Sequence, residues 1–296
     1  LFRDRLGIKP LYYGIQGSTL LFGSELKALR QHPAFTAGID RNALALYFRH
    51  NCIPAPYSVF RQVHKLLPGN YLRVDRGGSG QPLKPQVYWS AREMVEKGTA
   101  NPYEGSFEDS VGELDHRLHT AVRERMISDV PLGAFLSGGI DSSTITAIMQ
   151  SESSQPVRTF TIGFKDDDFD EARHAREVAR HLGTDHTELY LTGDQARDVI
   201  PLLPEIYDEP FSDSSQIPTY LVSTMARQHV TVCLSGDGGD ELFAGYNRHF
   251  WGRRIWQRIG WVPSWIRKPF ASAAGKLSPL QWDHFIKRVG SFAGKT

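Results

Sequence analysis

The 296-residue chain predicts an α/β fold built on a parallel sheet, preceded by a smaller strand-rich region. Three observations carry that prediction. From Phe107 onward, short apolar runs alternate with segments of helical period, the pattern of βαβ units. The run Leu132–Leu136 ends in Ser137-Gly138-Gly139 and passes directly into a helix-compatible segment, so a strand, a tight turn and a helix start follow one another. Residues 1 to about 35 read instead as short strands around glycine turns.

In order along the chain, Leu1–Arg3 reads as a strand, a turn falls around Gly7, and Leu11–Tyr13 is a second strand. LLFGSELKAL continues as a strand into a helix, with Ser24 placed to cap it. Asp40 caps a short helix whose stripe is Leu44, Tyr47 and Phe48. Asn51–Tyr57 holds two prolines, HKLLPGNYLRV turns into a strand, RGGSGQP forms a hairpin tip, and Tyr88-Trp89 closes the region. Residues 91–106 are polar with scattered glycine and proline and read as a linker, dividing the chain into 1–90, 91–106 and 107–296.

Beyond the linker, Val111, Leu114, Leu118, Val122 and Met126 recur at helical spacing until Ser128-Asp129 stops the helix. Leu132–Leu136 and Thr159–Phe164 are the first two strands of the sheet. Asp170 caps a helix that turns Ala172, Ala175, Val178, Ala179 and Leu182 inward, and Gly183 ends it. Thr187–Leu191 and Val230–Leu234 supply the third and fourth strands. Parallel sheets bind ligands beyond the carboxyl ends of their strands, where Ser137, Phe164 and Ser235 fall.

Charge is near balance, with 34 Lys and Arg against 33 Asp and Glu, so nothing at the global level calls for a nucleic-acid partner. The two cysteines, Cys52 and Cys233, lie far apart, which argues against a disulfide framework or a zinc site; Cys233 reads as a small core residue. No apolar stretch is long enough to span a bilayer and no signal peptide opens the chain, which leads us to expect the cytoplasm.

The chemistry concentrates in two loops. In Ser137–Ser143, SGGIDSS, bare backbone and small hydroxyls converge at a helix start, where amides and the helix dipole favour an anion. No P-loop lysine accompanies them. Asp141 supplies one carboxylate suited to Mg²⁺ bridging phosphate oxygens, so the expected ligand is a pyrophosphate group. LSGDGGDE, Leu234–Glu241, repeats that logic: a strand end, a Ser-Gly turn, then carboxylates among glycines. Asp141 and Asp240 are the expected metal ligands, and Asp237 an acid or base near the nucleophile. An ordinary glycine turn and an acidic surface turn are the plainer readings of the two. The run Asp166-Asp167-Asp168 reads as a solvated turn.

SGGIDSS resembles the signature loop of the N-type ATP pyrophosphatases, and with LSGDGGDE it is similar to the asparagine synthetase family over essentially the whole chain. The resemblance implies an adenine-nucleotide α-hydrolase-like (PP-loop) sheet and ATP with Mg²⁺. It places Ser137, Gly138, Gly139, Asp141, Ser142, Ser143, Ser235 and Gly236 on ATP or pyrophosphate, and Phe135 and Ile162 beside the adenine. Asp237 becomes the catalytic acidic residue and Asp240 a holder of Mg²⁺ and pyrophosphate. Asp208–Arg227 is similar to the segment beside the acceptor, where Asp213, Ser214 and Ser215 either bind the acceptor carboxylate or merely cap a helix. RDRLGIKPLYYG followed by FGSELKAL looks like the end of a class II glutamine amidotransferase domain.

The implied reaction is asparagine synthesis from aspartate, ATP and glutamine-derived ammonia through β-aspartyl-AMP, and a homodimer is the assembly allowed for. That family's exposed N-terminal cysteine and its downstream lysine are not in this sequence, so the expectation is an internal fragment without glutaminase activity. Two alternatives stay open: a relative amidating another carboxylate, such as an envelope sugar, and a non-catalytic ATP-binding module. From Arg248 onward ten Lys and Arg face one acid, Asp283, with four tryptophans from Trp251 to Trp265. A membrane or nucleic-acid surface is one reading; Trp251, Ile255 and Ile259 at helical spacing favour a helix packed on a core.

Overall fold

Alternation of apolar residues near the N-terminus builds a small antiparallel layer. In the computed structural model, which describes residues 1–75, 83–164, 171–276, 278 and 280–284, strand β1 (Tyr12–Gln16) pairs with β2 (Thr19–Gly23). The other edge of β1 pairs with β3 (Val63–Lys65). A second ribbon joins β4 (Asn70–Tyr71) to β5 (Gln86–Val87). Leu1–Arg3 is not a strand: Phe2 forms a single bridge to Tyr71. The RGGSGQP tip, Asp166-Asp167-Asp168 and Asp170 lie outside the described residues.

Two helices cover this layer. Helix α1 (Leu26–Arg30) buries Leu26 and Leu29, and α2 (Arg41–His50) buries Ala43, in one core with Ile53, Val59 and Val63. Asp40 caps α2 as expected, its carboxylate accepting from Asn42 N at 2.9 Å and Ala43 N at 3.3 Å. Ser24 does not cap α1. The N-cap residue is Glu25, without a side-chain hydrogen bond, because another carboxylate reaches those amides first.

The expected linker is largely helical: α3 (Ala91–Ala100) is capped by Ser90 and braced by an Arg92–Glu96 pair at 2.8 Å. All its residues are exposed, so local capping and pairing, not burial, favour the helix. Helix α4 (Phe107–Met126) begins in a reciprocal Ser106–Asp109 capping box. Of its apolar stripe Val122 is buried, Leu118 and Met126 are half-buried, and Val111 and Leu114 are exposed.

The main sheet consists of β6 (Leu132–Phe135), β7 (Arg158–Phe164), β8 (Asp185–Leu191) and β9 (Val232–Leu234), all parallel in the order β8-β7-β6-β9. Helix α5 (Ile140–Ser151) connects β6 to β7, and α6 (Ala172–Leu182) connects β7 to β8. The longer return to β9 holds α7 (Gly193–Val199), a 3-10 turn (Ile200–Leu202), α8 (Leu203–Ile206) and α9 (Gln216–Ala226). Strand alternation sends Ala134 to a core with Val122, Ile148 and Met149, and turns Phe135 and Phe160 toward Met225, Ala226 and Val230. Each fully buried side chain of that size contributes about 1.5–3 kcal/mol. Cys233 packs beside Phe160, and burial pushes its thiol up to about 11.

Leu1–Gly236 forms one compact unit and Asp237–Thr296 another. The second holds α10 (Gly239–Phe243), α11 (Asn247–Ile259) and α12 (Ser264–Ala274). The expected packing of the Trp251, Ile255 and Ile259 stripe on a core is not found, since all three are exposed and no residue of α11 is buried. Periodicity tells which residues share a face; it does not supply anything to cover that face.

Candidate functional site

The order β8-β7-β6-β9 puts the carboxyl ends of β6 and β9 side by side, Ala134 opposite Leu234, so Ser137 and Ser235 leave neighbouring strands. The turn after β6 is held by its own hydroxyls. Ser142 Oγ accepts from Ser137 N at 3.1 Å and stands 2.9 Å from Ser137 Oγ. It also reaches Gly139 O at 3.3 Å, while Gly139 N donates to Ser137 Oγ at 3.3 Å. Gly138 has φ 78°, and a Cβ there would stand 2.7 Å from Ala175 N at the start of α6. Only glycine suits both the left-handed backbone and that approach.

Helix α5 starts at Gly139 without a side-chain cap, leaving first-turn amides directed at whatever lies beyond the strand ends. Ser143 Oγ is buried with no hydrogen-bond partner among the described residues. Gly236, from the second loop, approaches this helix start so closely that a Cβ would sit 2.7 Å from Ser142 N and 2.9 Å from Asp141 Cβ. The structure therefore brings Ser137, Gly138, Gly139, Asp141, Ser142, Ser143 and Gly236 together, with Ser235 adjoining. Uncapped amides, an unpartnered buried hydroxyl and a cradle that a methyl group would fill suit the oxygens of a phosphate chain.

Asp141 stands half-exposed on the first turn of α5. No cluster of three or more metal-ligating side chains occurs among the described residues. A single carboxylate such as that of Asp141 is of a kind Mg²⁺ accepts, since that ion draws most of its ligands from phosphate and water. Asp237 and Asp240 belong to the second compact unit, Asp240 on the first turn of α10. Next to it, the Tyr246 hydroxyl donates to Glu241 at 2.6 Å and holds that carboxyl below the usual range. Phe135 ends β6 and Ile162 lies in β7, both half-buried.

Of its two expected forms, the cluster before α9 does not take that of a helix cap. Asp213 Oδ1 accepts from Ser215 N at 2.7 Å and Ser215 Oγ at 2.5 Å, which closes a local turn and depresses the Asp213 carboxyl. Ser215 is the N-cap residue of α9 but makes no side-chain cap, and Ser214 is exposed.

Just upstream, two carboxylates have roles the sequence did not suggest. Asp208 accepts from Leu26 N at 2.6 Å and Lys27 N at 3.2 Å, capping α1 from 182 residues away. Glu209, its side chain 9% exposed, accepts from Val59 N at 2.6 Å and pairs with Lys65 Nζ at 2.5 Å. Lys65 also donates to Ile53 O at 2.5 Å, and Tyr12 OH reaches Glu209 at 3.5 Å. Burial, then the charges of Glu209 and Asp208, raise the Tyr12 phenol far above its ordinary value. The acidic pair before Pro210 was the only hint in the sequence, and nothing local told what it would meet.

A model of the asparagine synthase family matches residues 113–294, and one of the glutamine amidotransferase domain matches residues 1–89. A Methanocaldococcus jannaschii protein provisionally named a glutamine-hydrolysing asparagine synthetase is 38% identical over 95% of this chain and 52% of its own length. Asparagine synthetase 1 of Bacillus subtilis is 34% identical over 83% of this chain and 37% of its own. The amidase ChyE of Penicillium rubens is 31% identical, over 83% and 37% respectively. The chain thus spans about half or less of the length of these relatives.

Proposed function

Because this chain belongs to the asparagine synthase family, we propose that it carries the ATP-splitting part of a glutamine-dependent asparagine synthetase. In this reading residues 107–296 are the synthetase region and 1–90 the end of the amidotransferase region, joined by 91–106, in keeping with the two matched ranges. The side-chain carboxylate of aspartate attacks the α-phosphorus of ATP, pyrophosphate leaves, and ammonia displaces AMP from β-aspartyl-AMP to give asparagine.

The single observation that carries the reading is the junction of the two loops. Gly236 lies against the backbone of Asp141 and Ser142 beside uncapped amides and the unpartnered Ser143 hydroxyl. Those amides would hold the departing pyrophosphate, and fixed donors aimed at growing charge are commonly the largest catalytic contribution. Asp141 and Asp240 would hold Mg²⁺, which when bound neutralises phosphate charge. Asp237 would manage a proton near the acceptor. Phe135 and Ile162 would flank the adenine, and the Asp213–Ser215 turn would adjoin the acceptor.

Pyrophosphate release from MgATP, measured with ammonia and a panel of carboxylic acids, tests this. Release with aspartate alone is expected. A response to another carboxylate only would favour a second reading, amidation of a different acceptor, which the likeness to an amidase keeps in view. ATP binding without release from any acceptor would leave a binding module and sink the catalytic claim.

A further inference from the structure

The segment joining α8 to α9 is held from one side by residues of the N-terminal layer. Besides the Asp208 and Glu209 contacts, Lys27 Nζ donates to Ile206 O at 3.3 Å, Ser212 N donates to Asn51 O at 2.7 Å, and Tyr47 Oη lies 2.9 Å from Ser212 Oγ. The segment is also closed on itself. Gln216 Nε2 donates to Phe211 O at 2.8 Å and Asp213 O at 3.1 Å, and Tyr207 packs edge-on against Phe211 at 4.8 Å between ring centres. A shift at Glu209 therefore travels through a short, internally braced loop to the Asp213–Ser215 turn four residues on.

We propose that Glu209, with Asp208, is a positioning clamp: it lets the N-terminal layer set the place of the Asp213–Ser215 turn, and so the fit of the acceptor. This rests on the assignment of that turn to the acceptor made above. The chemistry favours a clamp over a passive contact. A nearly buried carboxylate takes its bonds from Lys65 Nζ, Val59 N and Tyr12 OH, so its geometry is fixed by the layer it touches. Asp208 plays the same part at α1, where Glu25 supplies no side-chain bond.

The test follows pyrophosphate release while aspartate and ATP are varied separately. Glu209→Gln is expected to raise the KM for aspartate by about tenfold while the KM for ATP stays within about twofold. Glu209→Asp, which keeps the charge, recovers much of the loss. Lys65→Met reproduces the effect, and the double variant is no worse than either single one, as for two ends of one contact. Where Glu209→Gln does not fold, Tyr47→Phe takes its place and shifts the aspartate KM in the same direction by less. An unchanged aspartate KM, or equal rises for aspartate and ATP, overturns the clamp.

If the parent chain releases no pyrophosphate with any carboxylate, the functional reading has failed. Hydrogen exchange then decides the clamp separately. Amides of residues 206–216 must lose protection in Glu209→Gln while those of α5 keep it, and equal protection in both proteins overturns the proposal.

Discussion

The turn from Ser137 to Ser143 is held by its own atoms: two hydroxyls bond one another, the backbone bonds both, and a glycine lets α6 close in behind. The segment from Ile206 to Gln216 is held by residues distant in sequence, Val59 150 positions away, Leu26 182 and Tyr12 197, together with Lys65. In the proposed reading the first turn binds the phosphates of ATP, whichever carboxylate is the acceptor, and a self-contained cradle suits that task. The second segment would meet the acceptor, and its contacts let it be tuned from elsewhere. The two regions differ in who controls them.

That contrast can be broken from either side. Lys65→Met should have the largest effect, about 3 kcal/mol off stability, because it strands a nearly buried carboxylate; urea unfolding reads it directly. Gly138→Ala should cost about 1–3 kcal/mol through a forced left-handed residue and a backbone clash, and should weaken ATP binding measured by calorimetry. Ser142→Ala should cost about 1–2 kcal/mol, since Ser137 loses its partner. It should leave exchange at residues 206–216 unaltered, sharpening the separation of the two regions.

Asp40→Ala is the local counterpart of Asp208, and its helix should lose about 1 kcal/mol without any change in aspartate KM. The smallest effect is one of pH. Arg123, then His119, hold the Glu152 carboxyl down at about 2. A carboxyl depressed on folding adds stability above its unfolded range and loses it as pH falls through the folded value. The Tm gap between the parent and Glu152→Gln should therefore be full near pH 6 and narrow below about pH 4; scanning calorimetry at both values checks it.

Local signals were legible in the sequence and distant ones were not. Asp40 was legible as a cap because its amides lie two and three residues on, and β6 and β9 were legible as apolar runs ending at a Ser-Gly turn. Ser24 was assigned to α1 by the same local rule, and the rule failed because a carboxylate 182 residues downstream competes for the same amides. The linker's helix was hidden by its polar composition, though Ser90, Arg92 and Glu96 sat at capping and pairing distances. Of the candidate site, the strand-end loops were visible as motifs. The backbone contact of Gly236 with Asp141, and of Gly138 with α6, depends on the packing of elements far apart in sequence.

Asp208 also orders events in time. The amides of Leu26 and Lys27 emerge from the ribosome before their acceptor, which follows 182 residues after Leu26. At ordinary rates of synthesis the interval is about 10–40 s. During that wait α1 has no partner for its first turn and Lys65 no carboxylate. The N-terminal layer is therefore completed by residues made long after it, and its final consolidation is a late event that reports the arrival of the return to β9.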